Sequence, residues 1–309
     1  MSGAHVVGGL LAAGAGVFAY SSLIERNAFA VRSESMEILP STSRPIRVLH
    51  LSDLHLAPWQ KRKIAWIRSL AASKPDLIVA TGDFLGHEGA VPGVSEALSA
   101  FDGIPGVFVH GSNDYFGPHL PNPFAYLWRP SSVDSSRAPL DTAGLEDVYL
   151  ALGWANLNNS ATEISVNGSR IAFAGTDDPH LGLDRLADVT EALEHVRESS
   201  TDPVDAVIGV THAPYRRVLD SLTTLGADAL FAGHTHGGQV CVPFVGALTT
   251  NSDLPTKFAR GLSSWSHAGR TAHLNVSAGI GTSIFAPVRF ACPPEAVLVT
   301  LLPRPIGYS

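Results

Sequence analysis

The chain has 309 residues, 45% hydrophobic and 16% charged, a balance that excludes long disorder as its dominant state and suits one large α/β unit as readily as two domains. Its formal charge of −7 argues against a general nucleic-acid binder, whose affinity rests on Lys and Arg neutralising phosphates. With Cys241 and Cys292 as its two cysteines, it can build neither a disulfide framework nor a four-cysteine zinc site.

Residues 4–22 (AHVVGGLLAAGAGVFAYSS) form a nearly uncharged run of about the ~20 residues that cross a bilayer. Two readings stand: a membrane anchor, or a helix packed on the domain that follows. No basic residue precedes the run as in a secretory signal, and there is no twin-arginine pair. Arg26 and Arg32 favour a cytoplasmic position for the rest of the chain, opposed by Glu25 and Glu34. The expected localisation is therefore membrane-associated or cytoplasmic. Residues 1–44 are read as apolar segment plus linker and 45–309 as the folded domain.

From residue 45 onward short apolar runs alternate with amphipathic stretches, the pattern of a layered α/β protein. Residues 46–51 (IRVLHL) predict a buried strand ending in Ser52-Asp53-Leu54-His55, and residues 61–72 a helix with Ile64, Ile67, Leu70 and Ala71 on one face. Residues 77–80 predict a second strand, ending in Thr81-Gly82-Asp83. Residues 106–110 predict a third, ending in Gly111-Ser112-Asn113-Asp114. Residues 117–145 lack a clear period and read as an excursion, either a lid or a packed loop pinned by Phe124, Tyr126, Leu127 and Trp128.

Farther on, Asn167-Gly168 joins two short apolar runs as a hairpin. Helices are expected at 186–198 and 215–225. Buried strands at 204–210 and 229–232 end in Thr211-His212 and Gly233-His234-Thr235-His236. The C-terminal part alternates like antiparallel sheet, most clearly at 274–277 and 296–301.

The polar residues at these strand ends are Asp53, His55, Asp83, Asn113, His212, His234 and His236, all O or N ligands. In open α/β sheets the crevice beyond the carboxyl ends of the strands gathers residues distant in sequence. Four of these elements, taken alone, read equally well as an ordinary turn, cap or core histidine, whereas the paired imidazoles of Gly233-His234-Thr235-His236 are unusual and a bent loop could present them to two different metals. Their joint occurrence in this order points to a metal site.

Asp53-Leu54-His55, Gly82-Asp83, Gly111-Ser112-Asn113-Asp114, Gly209-Val210-Thr211-His212 and Gly233-His234-Thr235-His236 resemble the five signature blocks of the calcineurin-like metallophosphoesterase family. The segments 277–283, 287–290 and 292–295, with Gly175-Thr176-Asp177-Asp178-Pro179-His180, are similar to its bacterial YkuE-type branch. The resemblance implies a four-layer α/β/β/α sandwich with two mixed sheets. It implies that Asp53, His55 and His236 bind one divalent cation, that Asn113, His212 and His234 bind a second, and that Asp83 bridges them. Mixed carboxylate, amide and imidazole ligands suit Mn²⁺, Fe or Zn²⁺. The implied reaction is hydrolysis of a phosphomonoester, phosphodiester or pyrophosphate by a hydroxide bridging the two metals. The partner is a phosphate-ester substrate; the chain itself would associate with the membrane through residues 4–22 if that run is an anchor, which with the branch resemblance points to a membrane-associated lipid or nucleotide-sugar substrate. A non-catalytic module on the same fold and a nuclease are the alternatives; the intact ligand set speaks against the first and the acidic charge against the second.

The histidine that the family customarily carries after its ligand asparagine is missing, and Asp114 stands in its place as a candidate acid. The other reading of Asp114 is that it orients Asn113 or a helix start, leaving His110 or His180 as proton donors. Arg289 and His180 are the candidate substrate contacts, with a structural salt bridge as the other reading of Arg289.

Overall fold

The computed structural model describes residues 3–118, 137–200 and 202–305. The aromatic residues assigned to the excursion, Phe124 to Trp128, lie outside the described residues. The chain begins with helix α1 (Gly3–Ala19), continued by a π turn at Tyr20–Ile24 and a 3-10 turn at Glu25–Asn27. There follow β1 (Ala30–Leu39), β2 (Ile46–Leu51), α2 (Lys61–Ser69), β3 (Leu77–Ala80), α3 (Val91–Leu98), β4 (Gly106–Phe108), α4 (Ser112–Tyr115), α5 (Thr142–Ala151) and β5 (Ala155–Asn156). The second half contains β6 (Ser160–Val166), β7 (Ser169–Gly175), α6 (Leu186–Ser199), β8 (Ala206–Val210), α7 (Arg216–Thr224) and β9 (Ala229–Ala232). It closes with β10 (Cys241–Val242), β11 (Gly246–Ala247), β12 (Gly261–His267), β13 (Arg270–Val276) and β14 (Glu295–Pro303).

Two six-stranded mixed sheets form the centre, ordered β1-β14-β2-β3-β4-β5 and β12-β13-β9-β8-β7-β6. Strand alternation sorts their side chains into layers. Met36, Ile38, Val48, Val79, Val107 and Val299 face Phe173, Ile208, Val210 and Phe231 between the sheets. The opposite face of the first sheet, with Leu49, Leu51, Ile78 and Phe108, takes Ile64 and Ile67 of α2, Val94 and Leu98 of α3, and Leu145 and Tyr149 of α5. On the outer face of the second sheet, Ala172, Leu230 and Leu274 receive Val189 and Leu193 of α6 with Val218, Leu219 and Leu222 of α7. Each large aliphatic or aromatic side chain buried this way contributes about 1.5–3 kcal/mol, so the four layers hold without a disulfide. Both cysteines are buried free thiols.

Parallel neighbours need crossovers, and helices supply them: α2 between β2 and β3, α3 between β3 and β4, α6 between β7 and β8, α7 between β8 and β9. All these strands therefore end at the same edge of the sandwich, where the site assembles.

The folded unit starts earlier than residue 45. Strand β1 lies parallel to β14 from Ala30 opposite Glu295 onward and buries Met36, Ile38 and Leu39. Its outer half (Arg32, Glu34) is polar because it forms a sheet edge, so it reads as a linker in sequence.

Candidate metal centre

Five loops, each leaving the end of a strand (β2, β3, β4, β8 and β9), carry the seven candidate ligands. Asp53, His55, Asp83, His234 and His236 all have φ between 40° and 66°, the left-handed region. Such backbone costs about 1–3 kcal/mol per residue and persists where the surroundings over-determine it. The surroundings here are backbones in close approach. A methyl group at Gly111 would strike Asp83 Oδ1 and His212, and one at Gly233 would strike Ser52 Oγ and Asp53 Oδ2.

Ligand atoms of Asp53, His55, Asp83 and His236 lie within 4.8 Å of one another. His55 Nε2 is 3.1 Å from His236 Nε2 and 3.5 Å from Asp83 Oδ2, while His236 Nε2 is 3.5 Å from Asp53 Oδ1. On the other side of Asp83, His212 Nε2 stands 3.4 Å from Oδ2, and the Asn113 amide reaches the same oxygen at 2.7 Å. His234 Nδ1 is 3.3 Å from His212 Nε2. Asp83 thus sits between two sets of side chains.

Hydrogen bonds orient the rings. Thr81 O accepts from His212 Nδ1 at 2.6 Å, which turns Nε2 toward Asp83. Asn251 O accepts from His234 Nε2 at 3.1 Å, which leaves Nδ1 facing inward. Burial, then its cationic and imidazole neighbours, depresses His55 to about 4 and holds His234 and His236 well below the usual imidazole range. Burial also opposes the charged form of His212, but the carboxylates of Asp83, Asp53 and Asp178 outweigh it and raise this ring. For Asp83 the balance likewise runs against burial: His212, His55 and the Asn113 amide hold the carboxyl well below its usual range. Two buried carboxylates and inward-facing ring nitrogens, closely packed, form a donor set that fits divalent cations and would be costly to bury without them.

Asp114 turns its carboxylate toward backbone donors. Its two oxygens accept from the backbone N–H groups of Asp83 (2.8 Å), Phe84 (2.7 Å), Leu85 (3.1 Å) and Gly111 (2.9 Å). Burial raises its pKa, as does Asp83, while His110 and the N–H donors favour the ionised form. With four N–H groups aimed at it, the carboxylate is an acceptor that ties the β3 loop to the β4 loop. His110 lies behind it, Nδ1 3.9 Å from Asp114 Oδ2, enclosed by Phe108, Tyr115 and Tyr149.

Arg289 likewise meets backbone groups. It is fully buried, and its guanidinium donates to the carbonyls of Ala278 (2.7 Å), Gly279 (3.1 Å) and Gly281 (2.7 Å), with Nη2 3.3 Å from His236 Nδ1. Its role is to hold the loop after β13 against His236, through carbonyls where a carboxylate partner was the expectation. His180 does border the cluster: its ring centroid is 4.7 Å from that of His234, and Nδ1 is 3.0 Å from Tyr215 Oη.

Sequence reasoning missed three contributors. Arg137 Nη2 donates to Asn113 Oδ1 at 2.8 Å and to Phe116 O. Asn251 fixes His234. Lys63, buried on α2, donates to Leu54 O at 2.8 Å beneath the His55 loop, its ammonium pushed down to about 7 by burial, then Arg289 and Arg26. None stands at a strand end, the pattern that exposed the others.

A two-sheet α/β sandwich with carboxylates and imidazoles gathered beyond its strand ends is a setting for divalent cations. The calcineurin-like phosphoesterase family model matches residues 46–238, and the chain belongs to that family. It is 25% identical over 321 residues to "Uncharacterized metallophosphoesterase YkuE" of Bacillus subtilis (strain 168), covering 97% of this chain and 94% of that protein, which supports the YkuE-type branch. It is 23% identical to "Phosphodiesterase YaeI" of Escherichia coli (strain K12), over 92% of this chain and 93% of that one. "Transmembrane protein with metallophosphoesterase domain" of Bos taurus is 24% identical over 65% of this chain and 43% of its own length.

Proposed function

We propose that the chain is a dinuclear enzyme. Asp53, His55 and His236 hold one divalent cation, Asn113, His212 and His234 hold the other, and Asp83 serves both. The single observation that carries this reading is the position of the Asp83 carboxylate, within 3.5 Å of His55 Nε2 and 3.4 Å of His212 Nε2 from opposite sets. When bound, Mn²⁺, Fe or Zn²⁺ would neutralise phosphate charge and acidify the attacking water, so no protein nucleophile is required.

The chain's own residues supply the rest. Asp114 and Arg289 keep the ligand loops in register. His180, at the edge of the cluster, is positioned to contact substrate, and Arg137 adds a guanidinium beside Asn113. The substrate is a phosphomonoester, phosphodiester or pyrophosphate; the name of the Escherichia coli relative favours a phosphodiester.

The substrate is membrane-associated in this reading, a lipid or nucleotide-sugar phosphoester or pyrophosphate. Residues 8–27 form the one stretch among the described residues long and apolar enough to cross a bilayer, and it is mostly exposed. One relative carries "transmembrane" in its name. A panel of phosphoesters and pyrophosphates, offered to Mn²⁺-loaded protein and to Asp83→Asn, tests the function. Turnover that survives in Asp83→Asn contradicts it, and indifference to lipid in the substrate contradicts the membrane reading.

A further inference from the structure

A cavity of about 230 Å³ opens at the foot of the N-terminal helix, lined by none of the seven candidate ligands. Its walls come from three places. Arg26 and Asn27 belong to the 3-10 turn that ends the apolar stretch, Trp59 to Lys63 form the entry to α2, and residues 280–282 follow β13.

The lining is cationic in a chain of net charge −7. Arg26, Lys61, Arg62 and Lys63 contribute to it, and no carboxylate does. Arg26 Nε is buried without a hydrogen-bond partner. Lys61 meets Glu96 at 3.3 Å, but both side chains are exposed and such a pair is worth little. A buried, unpartnered guanidinium N–H among further cations is an unmet demand for an anion with several acceptor oxygens, and phosphate fits that demand.

The surroundings say where the phosphate comes from. Leu23 and Ile24, on the turn just before Arg26, are exposed, as is Trp59 at the rim. Next to them Tyr20 packs edge-on to Phe290, whose neighbour Arg289 donates its backbone N–H to Ser21 O. Phe290 bridges to Val240, the residue before β10, and the β10–β11 hairpin exposes Phe244 fully and Val245 largely. Cations and an aromatic side chain at the end of an apolar helix, flanked by exposed apolar residues, are the arrangement of a headgroup layer.

We propose that this pocket binds the phosphate of an anionic phospholipid headgroup and seats the enzyme on the bilayer surface. The proposal rests on the membrane-associated reading above and adds a specific contact to it. The pocket is one residue layer from the metal centre: Lys63 donates to Leu54 O, and Gly281 N donates to Asp53 O at 2.6 Å. A headgroup held there would lie close to the metal centre.

The test uses the full chain in neutral detergent. Trp59 fluorescence is read against a Trp59→Phe control during titration with dihexanoyl phosphatidylglycerol, dihexanoyl phosphatidylcholine or inorganic phosphate. The expected result is saturable binding of phosphatidylglycerol at least tenfold tighter than of phosphatidylcholine or phosphate. The double variant Lys61→Glu/Arg62→Glu, both exposed positions, should lose at least tenfold of that affinity while its Mn²⁺ content and melting temperature stay in the native range. Equal affinity for the two lipids, or full binding by the double variant, overturns the proposal. Inorganic phosphate binding as tightly as phosphatidylglycerol also overturns it, because the ligand would then be a free anion. Metal uptake and soluble-phosphoester turnover by the unmodified chain report separately on the phosphoesterase reading, so the two failures are distinguishable.

Discussion

His50 and Asp53 are joined through two hydroxyls. His50 Nε2 donates to Thr81 Oγ1 at 2.8 Å, Thr81 donates to Ser52 Oγ at 2.7 Å, and Ser52 donates to Asp53 Oδ2. At its far end His50 Nδ1 accepts from Asn275 Nδ2 at 2.9 Å, and Asn275 Oδ1 accepts from Arg32 at 3.1 Å. The direction of every donor in this chain requires a neutral His50. It also ties a candidate ligand to the edge strand β1, across both sheets.

That neutrality has a pH signature. Burial, then Arg32, lowers His50 from 6.5 to about 3. The unfolded chain takes up the proton below about 6.5 while the folded one does not, so stability present above that pH is lost as pH falls toward 3. In metal-free protein, His50→Gln should shrink the stability difference between pH 7 and pH 4 by about 3 kcal/mol, measured by urea unfolding at each pH. An identical acid limb in the variant would assign the proton uptake elsewhere.

Ser52→Ala breaks the chain next to Asp53 while leaving every candidate ligand in place. Loss of such an outer hydrogen bond costs about 10–100-fold in metal affinity. Chelator competition should show a loss in that range with little change in melting temperature. Unchanged affinity would mean that Asp53 is oriented by the His234 backbone N–H alone, which lies 3.1 Å from Oδ2.

Asp114→Asn separates a structural carboxylate from an acid. Four backbone N–H groups point at its oxygens, and an amide can satisfy only some of them. The variant should lose roughly 3 kcal/mol of stability, with turnover of good and poor leaving groups falling together. Selective loss on poor leaving groups, without loss of stability, would restore Asp114 as the proton donor.

The seven candidate ligands were legible because each closes a short buried strand, and the common edge of parallel strands brings such ends together. Residue type was legible at Asp114 and Arg289, but orientation was not. Whether a carboxylate faces metal or backbone N–H depends on how the β3 and β4 loops meet, and whether a guanidinium faces phosphate or carbonyls depends on the fold of residues 278–281. Arg32, Asn275 and Arg137 act across 24 residues or more, where no local pattern marks them. Strand β1 went unread because a polar sheet edge looks like a linker.

A shortened chain tests that last correction. Starting at Ala28 removes the apolar helix and keeps β1; starting at residue 45 also removes Met36, Ile38 and Leu39 from the core, together with Arg32, which pairs with Glu295 at 3.1 Å. The first should fold cooperatively and take up metal. The second should aggregate or melt without a sharp transition, since three buried apolar side chains are worth about 5–9 kcal/mol. Cooperative melting of the second chain, read by calorimetry, would return β1 to the status of a linker.

The central claim is that Asp83 serves two cations at once, and a Mn²⁺ titration followed by electron paramagnetic resonance tests it most directly. The account predicts two ions per chain with a spin-coupled signal, and in Asp83→Asn the coupling should vanish along with turnover. A wild-type chain that saturates with a single uncoupled ion, or a variant that keeps the coupled pair, would contradict it.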